Sequence, residues 1–221
     1  PIDISDLNIV VLIKKEINIT AKNLPLFGLN DNHFKSFEDR PNLMTKREIR
    51  IQILADLNLP KEGVLWDIGA GSGTIGLEGI KLRPKLKLYS IDKRLGTKNL
   101  IKTNAKRLSV KPKKILEEDI NNLLQDNFEN ILELPNRVII GGCDKSTKIR
   151  IIRTLSKIEI EDLLIVLPII TVDSLQEIKS IFEDNNYQTS FIMIQVFKGI
   201  SISDGSRLEP NNPVFILKGE K

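Results

Sequence analysis

Five short aliphatic runs alternate with stretches of helical periodicity, and this alternation constrains the fold more than any other feature of the sequence. The runs are VLWDI from Val64, KLYSI from Lys87, KKILE from Lys113, RVIIG from Arg137 and LLIVL from Leu163. Their apolar residues are continuous rather than alternating, which is typical of strands buried on both faces. The gap at residues 121–128 has no clear period, but the order of elements still predicts an α/β fold with a doubly wound, parallel sheet.

The end of the chain departs from this order. Two further strand-like runs, SFIMIQVF from Ser190 and PVFIL from Pro213, are joined by the polar segment KGISISDGSRLEPNN. The joining segment has no helical period, and strands connected by a loop instead of a crossover helix should be antiparallel. We therefore expect a mostly parallel sheet of seven strands with an antiparallel last strand.

The segment before the first run contains one helix and an unassigned arm. TKREIRIQILADLN has an apolar helical stripe, and Thr45 and Glu48 have the spacing of a capping box. Residues 24–221 are predicted to form a single domain. Residues 1–23, with a possible strand in LNIVVLIKK from Leu7, are interpreted as an arm or the remainder of a preceding domain.

The residue inventory excludes several classes of site. The chain has one cysteine, Cys143, and one histidine, His33, so an internal disulfide is impossible and a His/Cys metal site or a Ser-His-Asp triad is poorly supplied. No metal is therefore predicted. The single cysteine and the absence of a long apolar run predict a cytoplasmic protein without a membrane partner. The net charge of +4 fits a solvated surface.

A glycine-rich loop follows the first run in LWDIGAGSGTIGLE, which begins at Leu65. Ligands of open parallel sheets bind beyond the carboxyl ends of the strands, where this loop should lie. It lacks the Gly-Lys-Ser/Thr of a P-loop, although residues 71–76 match the GxGxxG pattern of dinucleotide sites. That match alone is weak evidence, because a turn of this kind can also be purely structural.

Carboxylates at three predicted strand ends identify the ligand more closely. Asp67 would repel a pyrophosphate but attract an ammonium or a sulfonium group. Asp92 can accept from two ribose hydroxyls, and Asp119 can accept from an adenine amino group or simply cap a short helix. The set favours S-adenosylmethionine over NAD. Together with the antiparallel end of the sheet, these three carboxylates predict a class I S-adenosylmethionine-dependent methyltransferase fold. An NAD-binding Rossmann protein is the less favoured alternative.

The fourth run ends in Gly141-Gly142, where amide and base-amine methyltransferases have an acidic or amide residue followed by prolines and an aromatic. Aromatic residues are only 5% of the chain, which leaves little for stacking on bases. Both facts argue against a nucleic-acid partner. The glycine pair suggests room for a bulky substrate, with a tight turn that contacts no ligand as the alternative.

Five motifs together resemble one family. LMTKREIR, LWDIGAGSGTIGLE, SIDKR, RVIIGG and RLEPNNPVFIL occur in the order seen in decarboxylating precorrin (cobalt-precorrin) C15-methyltransferases, including the C-terminal domain of precorrin-6Y C5,15-methyltransferases. The resemblance covers about residues 26–218. Positions that contact S-adenosylmethionine in this family correspond to Thr45, Gly69, Ala70, Gly71, Ser72, Gly73, Asp92, Asp119 and Ile120. Glu118 and the stretch at residues 143–145 depart from the family pattern.

The resemblance implies methylation of a polyanionic tetrapyrrole at carbon 15, with loss of carbon dioxide from an acetate side chain, in cobalamin synthesis. It also implies a homo-oligomer, specifically a tetramer. Gly141 and Gly142 would make room for the substrate, and Arg207 could pair with one of its carboxylates. No catalytic acid or base is identified. The alternatives that stay open are an RNA or other small-molecule methyltransferase, or a non-catalytic nucleotide-binding protein.

Overall fold

The computed structural model describes residues 23–40, 44–125 and 128–221. The predicted arm, with its LNIVVLIKK segment, lies outside the described residues apart from Asn23. In the described ranges, each helix is too short to cross a lipid bilayer as an apolar span.

The described residues form nine strands and six α-helices. The strands are β1 (Glu62–Ile68), β2 (Lys85–Ile91), β3 (Lys114–Leu116), β4 (Arg137–Ile140), β5 (Leu164–Ile169), β6 (Gln188–Ile194), β7 (Phe197–Ile202), β8 (Gly205–Pro210) and β9 (Val214–Glu220). The helices are α1 (Arg47–Asp56), α2 (Thr74–Leu82), α3 (Thr97–Leu108), α4 (Ile120–Leu123), α5 (Lys145–Ser156) and α6 (Val172–Asp184). Short 3-10 turns lie at Asp31–His33 and Phe128–Asn130.

Seven strands form one sheet in the order β3-β2-β1-β4-β5-β9-β6. The pairs among the first five strands of the chain are parallel, and β9 lies antiparallel between β5 and β6. The predicted fold class is confirmed, including the antiparallel strand near the end. The strand order reverses between β1 and β4, and a crevice opens at such a switch point beyond the carboxyl ends of the strands.

Both faces of the sheet are buried at its central strands β1, β4 and β5, which explains the continuous aliphatic runs. Trp66 and Tyr89 belong to a cluster on one face, while Leu65 and Leu88 belong to a cluster on the other. Successive side chains of a strand point to opposite faces, so a strand covered by helices on both sides needs apolar residues at every position. The helices packed on both faces hold the sheet in place, and the glycine loop lies at the carboxyl edge of this sheet.

The sequence predicted a loop for the polar segment between the last two strand-like runs, but the structure forms a β-hairpin there. The run SFIMIQVF breaks after Ile194, and β7 and β8 pair as a separate two-stranded sheet. This hairpin turns at Ser203-Asp204, a two-residue loop closed by the pairing of Ile202 with Gly205. Since β6 runs in the same direction as β5, the hairpin emerges at the carboxyl edge of the sheet, on the side of the glycine loop.

The predicted capping box at the start of α1 is wrong. The helix begins at Arg47, and its N-cap is Lys46, which makes no side-chain capping bond. Thr45 lies one residue earlier, and its carbonyl oxygen accepts a hydrogen bond from Arg50 Nη1 at 2.8 Å. The buried Arg50 guanidinium therefore holds Thr45 through the backbone carbonyl of Thr45. The spacing of side chains in the sequence did not indicate this contact.

Candidate donor site

The glycine loop, residues 69–73, joins β1 to α2 and is fixed by its own backbone. Gly69 N and Ala70 N both donate to Ile91 O, at 2.8 and 3.2 Å. Gly69 has a φ of +69°, and a Cβ at this position would lie 2.5 Å from Gly142 N. Glycine is needed at position 69 because the turn after β4 packs directly against it.

Replacing Gly69 with alanine should lower the free energy of unfolding by about 2–4 kcal/mol, because the new methyl group overpacks a backbone and the φ is unfavourable for any other residue. Chemical denaturation would measure this change. The matched control is Gly199→Ala, where a Cβ meets nothing within 4 Å. The control should shift the value by less than about 0.5 kcal/mol. Equal effects of the two changes would contradict the assigned packing.

Asp92, just after β2, ties the glycine loop to the next strand end. Its Oδ2 accepts from Gly71 N at 2.7 Å, and its Oδ1 accepts from Arg94 N at 2.8 Å. Each carboxylate oxygen retains a further lone pair. Asp92 also lines the cleft beside the loop, so it is placed to accept hydrogen bonds from a ligand there.

Asp119 is the N-cap of α4, which was the alternative interpretation of this residue. Its Oδ1 accepts from Asn121 N at 2.9 Å, and Lys93 Nζ lies 3.4 Å from its Oδ2. The pKa of Asp119 is lowered, chiefly by the Asn121 amide, so this carboxyl stays ionised. Ile120 N belongs to the first helical turn, whose amides have no intrahelical partner. Both residues line the cleft, which leaves the predicted adenine contact available.

Asp67 lies beneath the glycine loop and is only 2% exposed. Its Oδ2 accepts from Gly76 N at 3.0 Å, inside the first turns of α2. Burial is the main reason that the pKa of Asp67 is raised to about 7, and the nearby Asp92 adds to the effect. The structure does not bring this carboxylate to the wall of the cleft, so its contact with an ammonium group stays a prediction.

The raised pKa of Asp67 should make stability depend on pH. Between about pH 4 and pH 7, folded Asp67 keeps its proton while the unfolded chain loses it, so stability falls as pH rises through this range and levels off above it. Asp67→Asn keeps an acceptor for Gly76 N but cannot ionise. The difference in unfolding free energy between the wild type and this variant should therefore change by about 1.4 kcal/mol per unit of pKa shift. A difference that is flat from pH 4 to 8 would contradict the assignment.

A cleft of about 370 Å³, including its opening to solvent, connects these residues. It is lined by Ile68, Gly69, Ile91, Asp92, Lys93, Glu118, Asp119, Ile120, Gly142, Cys143, Asp144 and Thr147. Of the residues proposed from the sequence, Gly69, Asp92, Asp119, Ile120 and Gly142 thus meet in one place. Lys93, Asp144 and Thr147 were missed. The Asp144-x-x-Thr147 spacing could have been recognised as an N-cap, since Asp144 Oδ1 accepts from Thr147 N at 2.9 Å.

The glycine pair after β4 belongs mainly to the backbone packing of the site. Gly141 N donates to Ile68 O at 2.7 Å, which extends the ladder between β1 and β4. Gly142 faces the cleft, and the neighbouring Cys143 is a free thiol whose pKa burial raises to about 11. A protonated thiol is a poor nucleophile. In the described part of the chain, no cluster of three or more His, Cys, Asp or Glu side chains could hold a metal ion.

Arg207 lies on β8, away from the wall of the cleft. Its side chain is 63% exposed, and its Nη2 is 3.8 Å from Glu209 Oε1. At the base of the same hairpin, Lys198 Nζ is 3.9 Å from Glu48 Oε2 on α1. The hairpin therefore stands beside the start of α1, above the edge of the sheet that carries the cleft.

Comparisons with known proteins agree with this geometry. A family model described as a precorrin methyltransferase domain matches residues 35–221. A Methanococcus maripaludis strain C7 protein described as "Probable cobalt-precorrin-6B C(15)-methyltransferase (decarboxylating)" is 31% identical over 86% of this chain and 97% of its own length. The corresponding protein of Pyrobaculum aerophilum is 30% identical over 86% and 94%, respectively.

Solved structures give the same result. The precorrin-6Y C5,15-methyltransferase of Geobacter metallireducens is 27% identical, with a TM-score of 0.77 over 90% of this chain and 100% of that one. The C-terminal domain of the Rhodobacter capsulatus enzyme shares the fold at 19% identity, with a TM-score of 0.71 over the same shares of the two chains. With the family model covering most of the chain, the protein belongs to the precorrin methyltransferase family.

Proposed function

We propose that this protein transfers a methyl group from S-adenosylmethionine to carbon 15 of a precorrin, with loss of carbon dioxide from an acetate side chain, in cobalamin biosynthesis. The observation that carries the proposal is the pair of carboxylates, Asp92 and Asp119, at neighbouring strand ends beside the glycine loop. The names of the relatives reported above specify cobalt-precorrin-6B or precorrin-6Y, and this supports a tetrapyrrole substrate.

The cleft has the chemistry that an adenosyl ligand requires. Asp92 would accept from the ribose hydroxyls, and Asp119 and Ile120 N would meet the adenine. The single cationic side chain on the wall, Lys93, lies 3.4 Å from Asp119, so the lining is acidic and unsuited to a pyrophosphate. This favours S-adenosylmethionine over NAD.

The protein's contribution to the reaction is mainly one of positioning. S-adenosylmethionine supplies an electrophilic methyl group on a sulfonium centre. The glycine loop and Asp92 would hold this methyl in line with the attacking carbon, and orientation of this kind contributes up to about 7–11 kcal/mol in ideal cases. The conjugated macrocycle can accept the electrons released when the carboxylate is lost, so decarboxylation requires no additional cofactor.

The substrate would approach from the hairpin side, past Gly142. Arg207 on β8 is exposed and carries a cation that can pair with one of the substrate's carboxylates. Lys145 and Lys198 already lie near Glu177 and Glu48, respectively, so they are less available. The proposal for Arg207 is that it binds substrate and not the methyl donor.

Arg207→Ala should raise the KM for the precorrin by about 5- to 20-fold, as expected for one partly exposed charge-assisted contact, and leave the affinity for S-adenosylmethionine unchanged. Steady-state kinetics and calorimetry measure the two quantities. Arg153→Ala, on the exposed side of α5, is the matched control and should change neither. If both ligands weaken equally, or neither does, Arg207 has no such role.

We further propose a cytoplasmic homo-oligomer, with a tetramer as the expected state. Support comes from apolar side chains exposed on the edge strand β6 and on the hairpin, namely Phe191, Ile192, Met193, Phe197, Ile202 and Leu208. Exposed apolar patches of this kind commonly mark protein interfaces. The unpaired Cys143 supports a reducing compartment. Analytical ultracentrifugation of the full chain would test the tetramer.

The direct test is turnover. The protein is incubated with precorrin-6Y, or with cobalt-precorrin-6B, and methyl-labelled S-adenosylmethionine, and both methyl gain and carbon dioxide release are measured. A parallel reaction also contains RNA as a competing acceptor. Equal amounts of the two products support the full proposal. Methyl gain without carbon dioxide release would restrict the protein to methylation, and transfer to RNA instead of the precorrin would favour the alternative methyltransferase class.

A further inference from the structure

A short segment before α1, residues 35–39, touches both loops that form the donor cleft; we name it the strap. Its first contact is with Asn104, a fully buried residue of α3. Asn104 Oδ1 accepts from Lys35 N at 2.7 Å, and Asn104 Nδ2 donates to Lys35 O at 3.0 Å and to Ser72 O at 2.9 Å. One carboxamide thus joins the strap to the glycine loop, with its oxygen and its amide nitrogen both engaged.

The second contact joins the strap to the loop after β2. The Arg94 guanidinium stacks on the Phe37 ring at 3.9 Å from the ring centroid, and Arg94 Nη2 donates to both carboxylate oxygens of Asp39, at 2.7 and 2.6 Å. The backbone N–H of the same Arg94 donates to Asp92. The side chain and the backbone of one residue therefore connect the strap to the carboxylate that is placed to bind ribose.

We propose that the strap is a positioning device for the methyl donor, with Asn104 and Arg94 as its positioning residues. It holds the loop that contains Ser72 and the loop that contains Asp92 in fixed positions relative to each other. Both loops are therefore ordered before the donor binds. Preordering of this kind raises affinity because binding then loses less conformational freedom. The inference rests on the proposed donor site and adds the segment that sets the strength of donor binding.

A purely structural role would give a different pattern. Asp39 is 67% exposed in its side chain, and exposed ion pairs contribute little to stability, so loss of this contact should scarcely affect folding. A change in donor affinity at unchanged stability would therefore report on positioning. The substrate side of the cleft is not touched by the strap contacts described above, so the KM for the precorrin should stay the same.

The test compares three variants with the wild type by calorimetric titration with S-adenosylmethionine, thermal unfolding and steady-state kinetics. Phe37→Ala combined with Asp39→Ala removes the second contact without altering the core. Asn104→Ala removes the first. Glu38→Ala, in the same exposed segment, is the matched control. Hydrogen exchange at the Lys35 amide, with and without the donor, reports on the strap itself.

The double variant should bind S-adenosylmethionine about tenfold more weakly than the wild type, with an unchanged melting temperature, an unchanged KM for the precorrin and an unchanged kcat at saturating donor. The donor should slow exchange at the Lys35 amide in the wild type and in Glu38→Ala. If the wild type binds the donor and the double variant binds it equally well, the strap inference fails while the proposed function stands. If the wild type does not bind the donor, the proposed function and this inference fail together.

Discussion

Replacing Asp92 with alanine should weaken binding of S-adenosylmethionine by about 100-fold or more, since two charge-assisted hydrogen bonds to the ribose are lost at about 1.5–3 kcal/mol each. The same change removes the acceptor for Gly71 N and for Arg94 N, which now orient the two loops. Both the ligand contacts and the order of the empty cleft depend on this one carboxylate. Titration calorimetry gives the affinity directly.

Two companion variants make the Asp92 prediction specific. Asp92→Asn retains an oxygen that can accept one of the two loop amides, so it should lose less affinity than the alanine variant. Asp184→Ala removes an exposed carboxylate at the end of α6 and should leave affinity unchanged. If Asp92→Ala binds the donor as tightly as the Asp184 control does, Asp92 does not contact the ligand.

Replacing Arg50 with methionine should destabilise the protein by about 3–5 kcal/mol, the range expected when one partner of a buried ion pair is removed. Arg50 and Glu78 are both fully buried, and Arg50 Nε donates to Glu78 Oε2 at 2.7 Å. The guanidinium also donates to Leu29 O, Thr45 O and Asp31 Oδ1. Methionine would leave the Glu78 carboxylate without its cation and these oxygens without their donor.

Denaturant unfolding measures the Arg50 effect, and two further variants identify its cause. Arg50→Met combined with Glu78→Gln should recover part of the loss, because glutamine is neutral and its oxygen can still accept from Gly28 N, which now donates to Glu78 at 2.6 Å. Arg153→Met makes the same chemical change on an exposed surface and should cost less than about 0.5 kcal/mol. A loss equal to that of Arg153→Met would show that the buried pair of Arg50 and Glu78 does not stabilise the fold.

Much of the fold is predictable because burial on two faces leaves a clear mark in the sequence. The strand at Val64 and the one at Leu163 are read directly from continuous aliphatic residues, and the antiparallel pairing of β9 follows from the missing crossover helix. The hairpin of β7 and β8 was not predicted, because an exposed element lacks this mark of burial. Its residues are mostly exposed, as at Leu208, which is 70% exposed, so its sequence carries no burial pattern.

The site was predictable where a residue type and its place after a strand both matter, as for Asp92 and Gly69. It was not predictable where distant segments meet. Arg50 lies on a helix whose pattern reads as an ordinary amphipathic one, yet its guanidinium reaches Thr45 O and Glu78, 28 residues further along the chain. Asn104 similarly joins Lys35 and Ser72, a contact that no local spacing indicates.

The most direct test of the account is a crystal structure of the protein with S-adenosylhomocysteine, the demethylated form of the proposed donor. The account predicts the ribose hydroxyls on the Asp92 carboxylate, the adenine beside Asp119 and Ile120, and the amino-acid end over the glycine loop. An adenosyl group that lies elsewhere, or a cleft that binds a pyrophosphate in preference to this ligand, would contradict it.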